Sequence, residues 1–578
     1  MAFIRLSQAL LWIGLALIAG APRIVGALLL KNADGDAYSY IESIEAMRAA
    51  LIAGTFSVRN LFGFWLPLYQ FFCAAISAIV GHPFYVAKLI SALCGVEVCL
   101  LVFRISLQLT HHRVVSLMAF ALIALNPLHI LYSASSMTDV PYAFLVLASL
   151  SFAIDNRWAA AATCAAIAGL VRVEAWSFIV LLPLLRFFTE RKVSLYSCAI
   201  PVLAPLLWFY ICWAATGNPF EQFEMRNVYI REYLAFQPEQ ATFSRAVIAL
   251  DIGRLLYSAN IVVLTTGLIG GWLAARQAWV SGCISKPDGG IVAVCLYFFS
   301  SLTFLLLAYV TKNQPVIWVR YGLILFALGI PILVWTPLAL MQLKPRSLKT
   351  SERPTSYVRR RKRQNVLRPT SDVRNVRTSD VRCPTSVSKT DVGRRTYRRR
   401  TLIRVRHALA RLTRRRGEDD AETRGRGDAG KWTVSASVLL AVVCLWCTAP
   451  QFVDGFKFIG EISPQEVVAR YLEAEHRANP QLRVFCDDVA VRVLSGIPPA
   501  RFLSTPYSPR EADAFLEHLK KNGVEYLVYV GVEGSTPVKL FPELAHGVGK
   551  GLFQTVMRAS PEGWHTSVWL YRFTGGIR

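Results

Sequence analysis

Residues 6–40 read LSQALLWIGLALIAGAPRIVGALLLKNADGDAYSY, a long apolar segment followed at once by a polar turn with two aspartates. The apolar part has the ~20 residues that a helix needs to cross a bilayer. Carboxylates at the end of such a helix are costly to place against hydrocarbon, and Gly35 lets the backbone turn so that Asp34 and Asp36 face one pocket. A solvated loop at the end of the helix is the alternative interpretation.

Apolar segments of similar length recur along the chain, which has 578 residues and is 54% hydrophobic. This composition is typical of a multi-pass membrane protein. We predict an all-α polytopic membrane bundle with a small C-terminal α/β domain. The predicted spans, eleven in all, are 7–30, 84–107, 114–133, 138–154, 158–171, 174–189, 195–214, 256–275, 290–310, 318–341 and 433–450.

Basic residues concentrate in one part of the chain. Residues 344–431 hold 28 Lys and Arg against 9 Asp and Glu, which is +19 of the total net charge of +25. This segment is poor in apolar residues and repeats Thr-Ser-Asp-Val-Arg at 370–374 and 378–382. Such a composition cannot bury a core and is attracted to anionic lipid headgroups. We expect a disordered, low-complexity cytoplasmic loop over 342–431. Nucleic-acid binding is not expected, because no aromatic platform accompanies the arginines.

The basic loops also predict the orientation in the membrane. If the apolar stretch Leu61–Val80 crossed the bilayer, the basic loops would lie opposite the N-terminus; if it lies in the interface, they share its side. The positive-inside rule favours the interfacial arrangement, with the N-terminus in the cytoplasm. We therefore predict a multi-pass protein of the cell (plasma or inner) membrane. Its parts are a transmembrane region at 1–341, a last transmembrane helix at 432–450 and an extracytoplasmic domain at 451–578.

The last 128 residues alternate between helical and strand patterns. Helices are predicted at 464–479 and 508–522, and strands at 483–487, 524–530 and 567–573. This alternation is typical of a small soluble α/β domain, and we expect it to cover or shape an external site.

The polar candidates for chemistry fall on the external face of this topology. They are Asp34 and Asp36 in the first loop, Asp139, Arg172 and Glu174 between spans, and Arg320 and Tyr321 at the start of the tenth span. Arginines at membrane depth need an anionic partner, either a carboxylate or a lipid phosphate. The structural alternatives are an ion pair between Arg172 and Glu174, and an Arg320 side chain that extends to the headgroups.

Acids that activate a hydroxyl, beside cations that hold a phosphate leaving group, are what sugar transfer from a polyprenyl-phosphate donor requires. The motifs Asp34-Gly-Asp-Ala-Tyr38, Pro67-Leu-Tyr69, Ser136-Met-Thr-Asp-Val-Pro141, Leu170-Val-Arg-Val-Glu174 and Val319-Arg-Tyr321 carry a resemblance. In order and sidedness, the chain resembles the GT-C fold glycosyltransferases, a superfamily that includes protein O-mannosyltransferases and the aminoarabinose transferases of lipid A. The resemblance covers about 1–345 and 433–578, with the basic segment as an insertion.

The resemblance implies a role for each candidate, with Asp139, Arg172, Glu174, Arg320 and Tyr321 as substrate-binding residues. One acid of the first loop would be the general base, and since Gly35 separates two acids that are usually adjacent in the family, both Asp34 and Asp36 remain candidates. Asp139 would position the acceptor or a divalent metal, Mg or Mn. Arg172 and Arg320 would hold the donor phosphate. The implied partners are a polyprenyl-phosphate-linked sugar and an extracytoplasmic acceptor.

Two other classes of function remain open at this point. A transporter would show internal repeats with interrupted helices and charges that line a path to both faces. A non-catalytic membrane protein that binds envelope glycans through its C-terminal domain would tolerate the loss of Asp34 and Asp36.

Overall fold

Helices fill the apolar part of the chain, because a backbone surrounded by hydrocarbon must satisfy its hydrogen bonds within its own segment. The computed structural model describes residues 2–190, 192, 195–236, 244–280, 286–312, 314, 316–342, 435–460, 462–505, 508–531, 535–560 and 567–575. The predicted helical bundle with a small C-terminal α/β domain is confirmed. The basic segment predicted at 342–431 lies outside the described residues, apart from Gln342.

Seventeen helices precede the C-terminal domain among the described residues. They are α1 (Ala2–Leu29), α2 (Gly35–Ile52), α3 (Leu68–Val80), α4 (Pro83–Thr110), α5 (Arg113–Ala124), α6 (Pro127–Ser133), α7 (Asp139–Ile154), α8 (Trp158–Gly169), α9 (Phe178–Glu190), α10 (Leu195–Thr216), α11 (Glu221–Phe236), α12 (Arg245–Ala259), α13 (Ile261–Val280), α14 (Lys286–Val310), α15 (Gly322–Gln342), α16 (435–447) and α17 (Ala449–Gly460). Short 3₁₀ turns lie at Val58–Leu61, Val173–Ser177 and Val319–Tyr321.

Six of the described helices are long and apolar enough to cross a membrane: Leu6–Leu29, Pro83–Thr110, Leu195–Thr216, Gly289–Val310, Val319–Leu340 and Ser435–Gly455. The pairs α5–α6 and α12–α13, bent by 61° and 83°, raise the number to eight if each pair is one span. The spans predicted at 138–154, 158–171 and 174–189 contain α7, α8 and α9, of 16, 12 and 13 residues. Since a full crossing takes ~20 residues, these three are short. The described chain therefore has six to eight helices of spanning length, where the sequence predicts eleven spans.

The ambiguous stretch Leu61–Val80 contains the short helix α3. Its 13 residues begin directly after Pro67, which cannot continue a helix from the preceding chain. A helix of this length does not reach across a bilayer. The segment thus has the length expected of an interfacial helix, and its position at the interface stays a prediction.

A buried arginine supports the bend between α5 and α6. The Arg23 guanidinium donates to the carbonyl oxygens of Ile123 (3.1 Å) and Ala124 (3.2 Å), at the end of α5. It also lies 2.8 Å from Nδ1 of His129 on α6. Carbonyls at the end of a helix have no hydrogen-bond partner within the helix. Arg23 therefore supplies the donors that the end of α5 lacks at the bend. The bend brings residues 134–139 beside the first loop.

Hydrogen bonds join that segment to the first loop directly. The Ser136 amide donates to Oδ1 of Asn32 (3.0 Å), and the Ala33 amide donates to Oγ of Ser135 (2.9 Å). The loop with the two aspartates is therefore fixed against the start of α7.

A close helix contact positions the turn Val319–Tyr321. A Cβ atom on Gly322 would lie 2.1 Å from Oγ of Ser258 and 2.6 Å from the backbone nitrogen of Ala259. These distances are far below any van der Waals contact, so a residue without a side chain is required where α15 meets the end of α12.

The C-terminal domain is a five-stranded sheet with helices. The strands are β1 (Val484–Cys486), β2 (Phe502–Leu503), β3 (Tyr526–Val530), β4 (Phe553–Ala559) and β5 (Val568–Phe573), and the helices are α18 (Pro464–Ala478), α19 (Val489–Leu494), α20 (Ala512–Lys521) and α21 (Thr536–Leu540). The strand order is β2-β1-β3-β5-β4, with β1 parallel to β2 and β3, and β5 antiparallel to β3 and β4. The three predicted strands and two predicted helices are confirmed, whereas β2 and β4 were not predicted.

Candidate functional site

Arg320 joins the two acids of the first loop. Its Nη1 donates to Oδ2 of Asp34 at 2.9 Å, and its Nη2 donates to Oδ2 of Asp36 at 2.6 Å. The arginine is 9% exposed. The sequence predicts that both acids face one pocket. In the structure they face one guanidinium, which lies 286 and 284 positions further along the chain.

The start of α2 places the two carboxylates in different surroundings. Asp34 is the N-cap, and its Oδ1 accepts a hydrogen bond of 3.1 Å from the Asp36 amide, which is a role that aspartate favours. Asp36 lies in the first turn, where a negative charge is favourable. Both oxygens of Asp34 are thus engaged. Asp36, whose side chain is 37% exposed, accepts only through Oδ2 from the described residues.

A second cluster forms around Arg172. Its Nη1 donates to Oδ1 of Asp139 (2.8 Å), and its Nη2 and Nε donate to Oε1 of Glu174 (2.8 and 3.2 Å). The ion pair between Arg172 and Glu174, one of the two alternatives from the sequence, is present, and Asp139 is its third member. Asp139 is the first residue of α7, Arg172 directly precedes the turn Val173–Ser177, and Glu174 lies in that turn.

Aromatic side chains connect the two clusters. The centroid of the Tyr321 ring lies 5.4 Å from Cζ of Arg172 and 5.6 Å from Cζ of Arg320, within range of cation–π attraction. The Tyr40 hydroxyl lies 3.1 Å from Oγ1 of Thr138, the residue before Asp139. All seven residues singled out from the sequence (Asp34, Asp36, Asp139, Arg172, Glu174, Arg320 and Tyr321) are therefore brought into one polar network. Their catalytic and binding roles stay predictions.

Two buried polar atoms of the network have no hydrogen-bond partner among the described residues, namely Oδ2 of Asp139 and Nε of Arg320. A buried polar atom without a partner is costly, so each retains the capacity to bind a ligand group. Burial also raises the pKa of Asp34. The Arg320 charge opposes this rise and the nearby Asp36 adds to it.

A cavity of about 390 Å³ lies beside the network. Asp139, Arg172, Glu174, Arg226 and Arg320 line its charged part. Trp176, Phe223, Phe304, Leu305, Leu307 and Ile324 are among the side chains of its apolar walls. Asp34 and Asp36 do not line it, so Arg320 is the residue that touches both the acids and the cavity.

The sequence analysis did not single out Arg226. This residue lies on α11, and its Nη2 donates to Oε1 of Gln314 at 3.1 Å; both residues line the cavity. The only sequence signal is that Arg226 belongs to the charged stretch between the predicted spans 195–214 and 256–275. Nothing in that stretch indicates which of its charges turns inward.

The C-terminal domain contacts the helix that carries the acids. Nη2 of Arg492 on α19 donates to Oε2 of Glu42 on α2 at 2.9 Å, and a cavity of about 120 Å³ lies at this joint. Asp487, which directly follows β1, accepts hydrogen bonds from the Thr505 amide (2.7 Å) and the Ser535 hydroxyl (2.5 Å). It therefore ties together the loops that follow β1, β2 and β3.

The magnesium or manganese ion that the resemblance implies stays a prediction. Within the described ranges, no group of three or more His, Cys, Asp or Glu side chains could hold a metal ion. The four carboxylates of the network are each paired with an arginine. A cation bound beside any of them would also lie next to a guanidinium, which repels it.

Comparisons with known proteins find similarity among solved structures alone. No family model and no curated protein matches the chain. The crystal structure of ArnT from Cupriavidus metallidurans bound to undecaprenyl phosphate has 12% sequence identity and a TM-score of 0.48, with 98% of each chain covered. The same protein in the apo state has 13% identity and a TM-score of 0.45, also with 98% of each chain covered. The chain is thus similar, over nearly its whole length and at low identity, to a protein crystallised with and without undecaprenyl phosphate.

Proposed function

We propose that this protein is a membrane glycosyltransferase that moves a sugar from a polyprenyl-phosphate donor to a hydroxyl of an extracytoplasmic glycan, lipid or protein. The cavity carries this proposal, because three arginines and two carboxylates line one part and aromatic and aliphatic side chains line the rest. A lipid phosphate has the same division between a charged head and an apolar tail.

The contacts of the cavity suit each part of such a donor. Arginine binds phosphate through charge-assisted hydrogen bonds, and Arg172, Arg226 and Arg320 supply them. Leu307, on the apolar wall, is 60% exposed, so this wall reaches the outer surface of α14. A prenyl chain that leaves the cavity there would pass into the surrounding lipid without crossing polar protein surface.

The reaction needs one base and one leaving group. The oxygen of the acceptor hydroxyl attacks the anomeric carbon, the bond from that carbon to the phosphate oxygen breaks, and the polyprenyl phosphate leaves with the electron pair. A carboxylate takes the hydroxyl proton. Asp36 is better placed than Asp34 for this step, because it is more exposed and one of its oxygens accepts no hydrogen bond from the described residues.

The proposal is tested with the full chain reconstituted in lipid vesicles and a set of polyprenyl-phosphate sugars labelled in the sugar. Transfer to membrane acceptors should fall about 10²–10⁴-fold in Asp36→Asn, since the loss of a general base has effects of that size. Glu45→Gln, on the same helix but outside the network, is the matched control and should keep full transfer. Full transfer in both Asp34→Asn and Asp36→Asn would overturn the assignment of this loop as catalytic.

A further inference from the structure

We propose that the acid pair and the donor phosphate compete for Arg320, so that binding of the donor releases the carboxylate that acts as base. This inference rests on the proposed function and adds to it an order of events: the donor phosphate first, then activation of the acceptor.

The geometry of Arg320 supports competition. The two outer nitrogens of its guanidinium are both taken by carboxylates, at 2.9 and 2.6 Å. The same side chain lines the cavity, and its third nitrogen, Nε, is buried and has no hydrogen-bond partner in the described part of the chain. Each outer nitrogen still carries a second N–H, so an incoming phosphate can add bonds there and at Nε. It gains the undivided charge of the guanidinium, however, only if a carboxylate gives way.

Charge balance favours the same exchange. Asp34 and Asp36 together carry two negative charges when ionised, against one positive charge on Arg320. A phosphate beside them is repelled unless the guanidinium moves toward it or a proton is taken up. The nearby Arg172 guanidinium already faces two carboxylates of its own, Asp139 and Glu174, at 2.8 Å each.

The exchange would improve the base. A carboxylate that accepts from a guanidinium is stabilised as the anion and takes a proton less readily. Arg320 holds both Asp34 and Asp36 in this way, at 2.9 and 2.6 Å, so its departure removes that stabilisation from the acid that it leaves. The carboxylate then gains an open oxygen and a higher proton affinity at the moment when the leaving group acquires its counter-charge.

The test measures the dissociation constant of undecaprenyl phosphate for the full chain in nanodiscs, without any transfer reaction. The double variant Asp34→Asn/Asp36→Asn should bind on the order of tenfold more tightly, because Arg320 no longer has to leave an anionic partner. Asn keeps the N-cap of α2, so this variant retains its fold. Asp36→Asn alone is a second variant and should shift the constant in the same direction.

Two comparisons separate competition from general repulsion. Glu45→Gln, the control for Asp36→Asn, removes one negative charge from α2 at a position with no contact to Arg320 among the described residues, and should leave binding unchanged. In an Arg320→Gln background, the Asp34→Asn/Asp36→Asn pair should lose its effect. Equal tightening in that background, or no tightening with Arg320 present, overturns the inference while leaving the proposed function intact. Failure of the wild-type chain to bind undecaprenyl phosphate would overturn both.

Discussion

Asp34 serves the fold as well as the site, because its carboxylate caps α2 and accepts from Arg320. Asp34→Ala should lower the free energy of unfolding by about 1 kcal/mol, the usual cost of a lost N-cap. Asp34→Asn should keep the cap and most of that stability. Thermal unfolding in detergent measures both, and equal stability of the Ala and Asn variants would show that the cap contributes nothing.

Gly322 is required by the distance between α15 and the end of α12. Gly322→Ala should destabilise the protein by about 1–3 kcal/mol, the usual cost of overpacking, because the added methyl group meets Ser258 and backbone atoms. Gly14→Ala on α1 is the matched control, since nothing lies within 4 Å of its added Cβ. A melting temperature that falls only in the Gly322 variant is the expected result, and equal values in both would contradict the close contact.

The site residues could be found from sequence, but their partners could not. Acidic and basic residues at the ends of apolar segments identify groups that hydrocarbon cannot surround. Which arginine meets which acid depends on how helices pack, and the pairs of Arg320 span 284 and 286 positions. The pattern alone therefore cannot assign Arg320 to Asp34 and Asp36, or Arg172 to Asp139.

Helix α14 lines one wall of the cavity and also exposes side chains on the outside of the bundle. Ala308→Trp should weaken binding of undecaprenyl phosphate at least tenfold, since an indole occupies space that the prenyl chain needs. Leu306→Trp is the matched control, because Leu306 is 42% exposed and does not line the cavity. Titration of both variants in nanodiscs measures the effect, and equal binding would place the lipid elsewhere.

The short helix α19 starts at a carboxylate whose protonation favours the fold. Burial raises the pKa of Asp488, so the folded domain binds this proton more tightly than the unfolded chain does. This contribution to stability is fully present below the pKa of Asp488 in the unfolded chain, ~4. It is lost as the pH rises through the higher pKa of the folded domain.

The Asn side chain of Asp488→Asn stays neutral at every pH and keeps the N-cap. This variant should therefore not lose stability as the pH rises. Hydrogen exchange of residues 484–494, corrected for the intrinsic effect of pH, should be slower in the variant at pH 7 and similar at pH 4. Asp513→Asn, in the exposed first turn of α20, should leave the difference between the two pH values unchanged. Faster exchange at pH 7 in Asp488→Asn would contradict the direction of the pKa shift.

Elements with a strong periodic signal were predicted, and those without one were not. The strands β1, β3 and β5 are rich in β-branched and aromatic residues, which sequence patterns detect. The strand β2 has two residues, too few to show alternation, and the middle of β4 is mostly exposed. In the bundle, α7, α8 and α9 are apolar enough to resemble spans, but their lengths follow from turns that hydropathy does not resolve.

For the whole molecule, the contact between Glu42 and Arg492 sets the C-terminal domain against the helix that begins with the acids. Both therefore lie on one face of the bundle, and the predicted orientation makes that face extracytoplasmic. A membrane-impermeant thiol reagent should label Arg477→Cys, whose native side chain is 76% exposed, in intact right-side-out vesicles. The native Cys383 in the basic segment is the internal control and should react only after the vesicles are opened. Labelling of Cys383, but not of Arg477→Cys, in intact vesicles would show that the topology is the opposite one.

The bond between Arg320 and the first loop also constrains how the protein is made. Asp34 and Asp36 leave the ribosome 286 and 284 residues before the guanidinium that neutralises them. Until the segment Val319–Leu340 has been inserted, the loop carries two carboxylates without their counter-charge at the membrane surface. The site is thus among the last parts of the bundle to be completed during synthesis. A chain interrupted before residue 320 keeps the acids but lacks the residue that neutralises them.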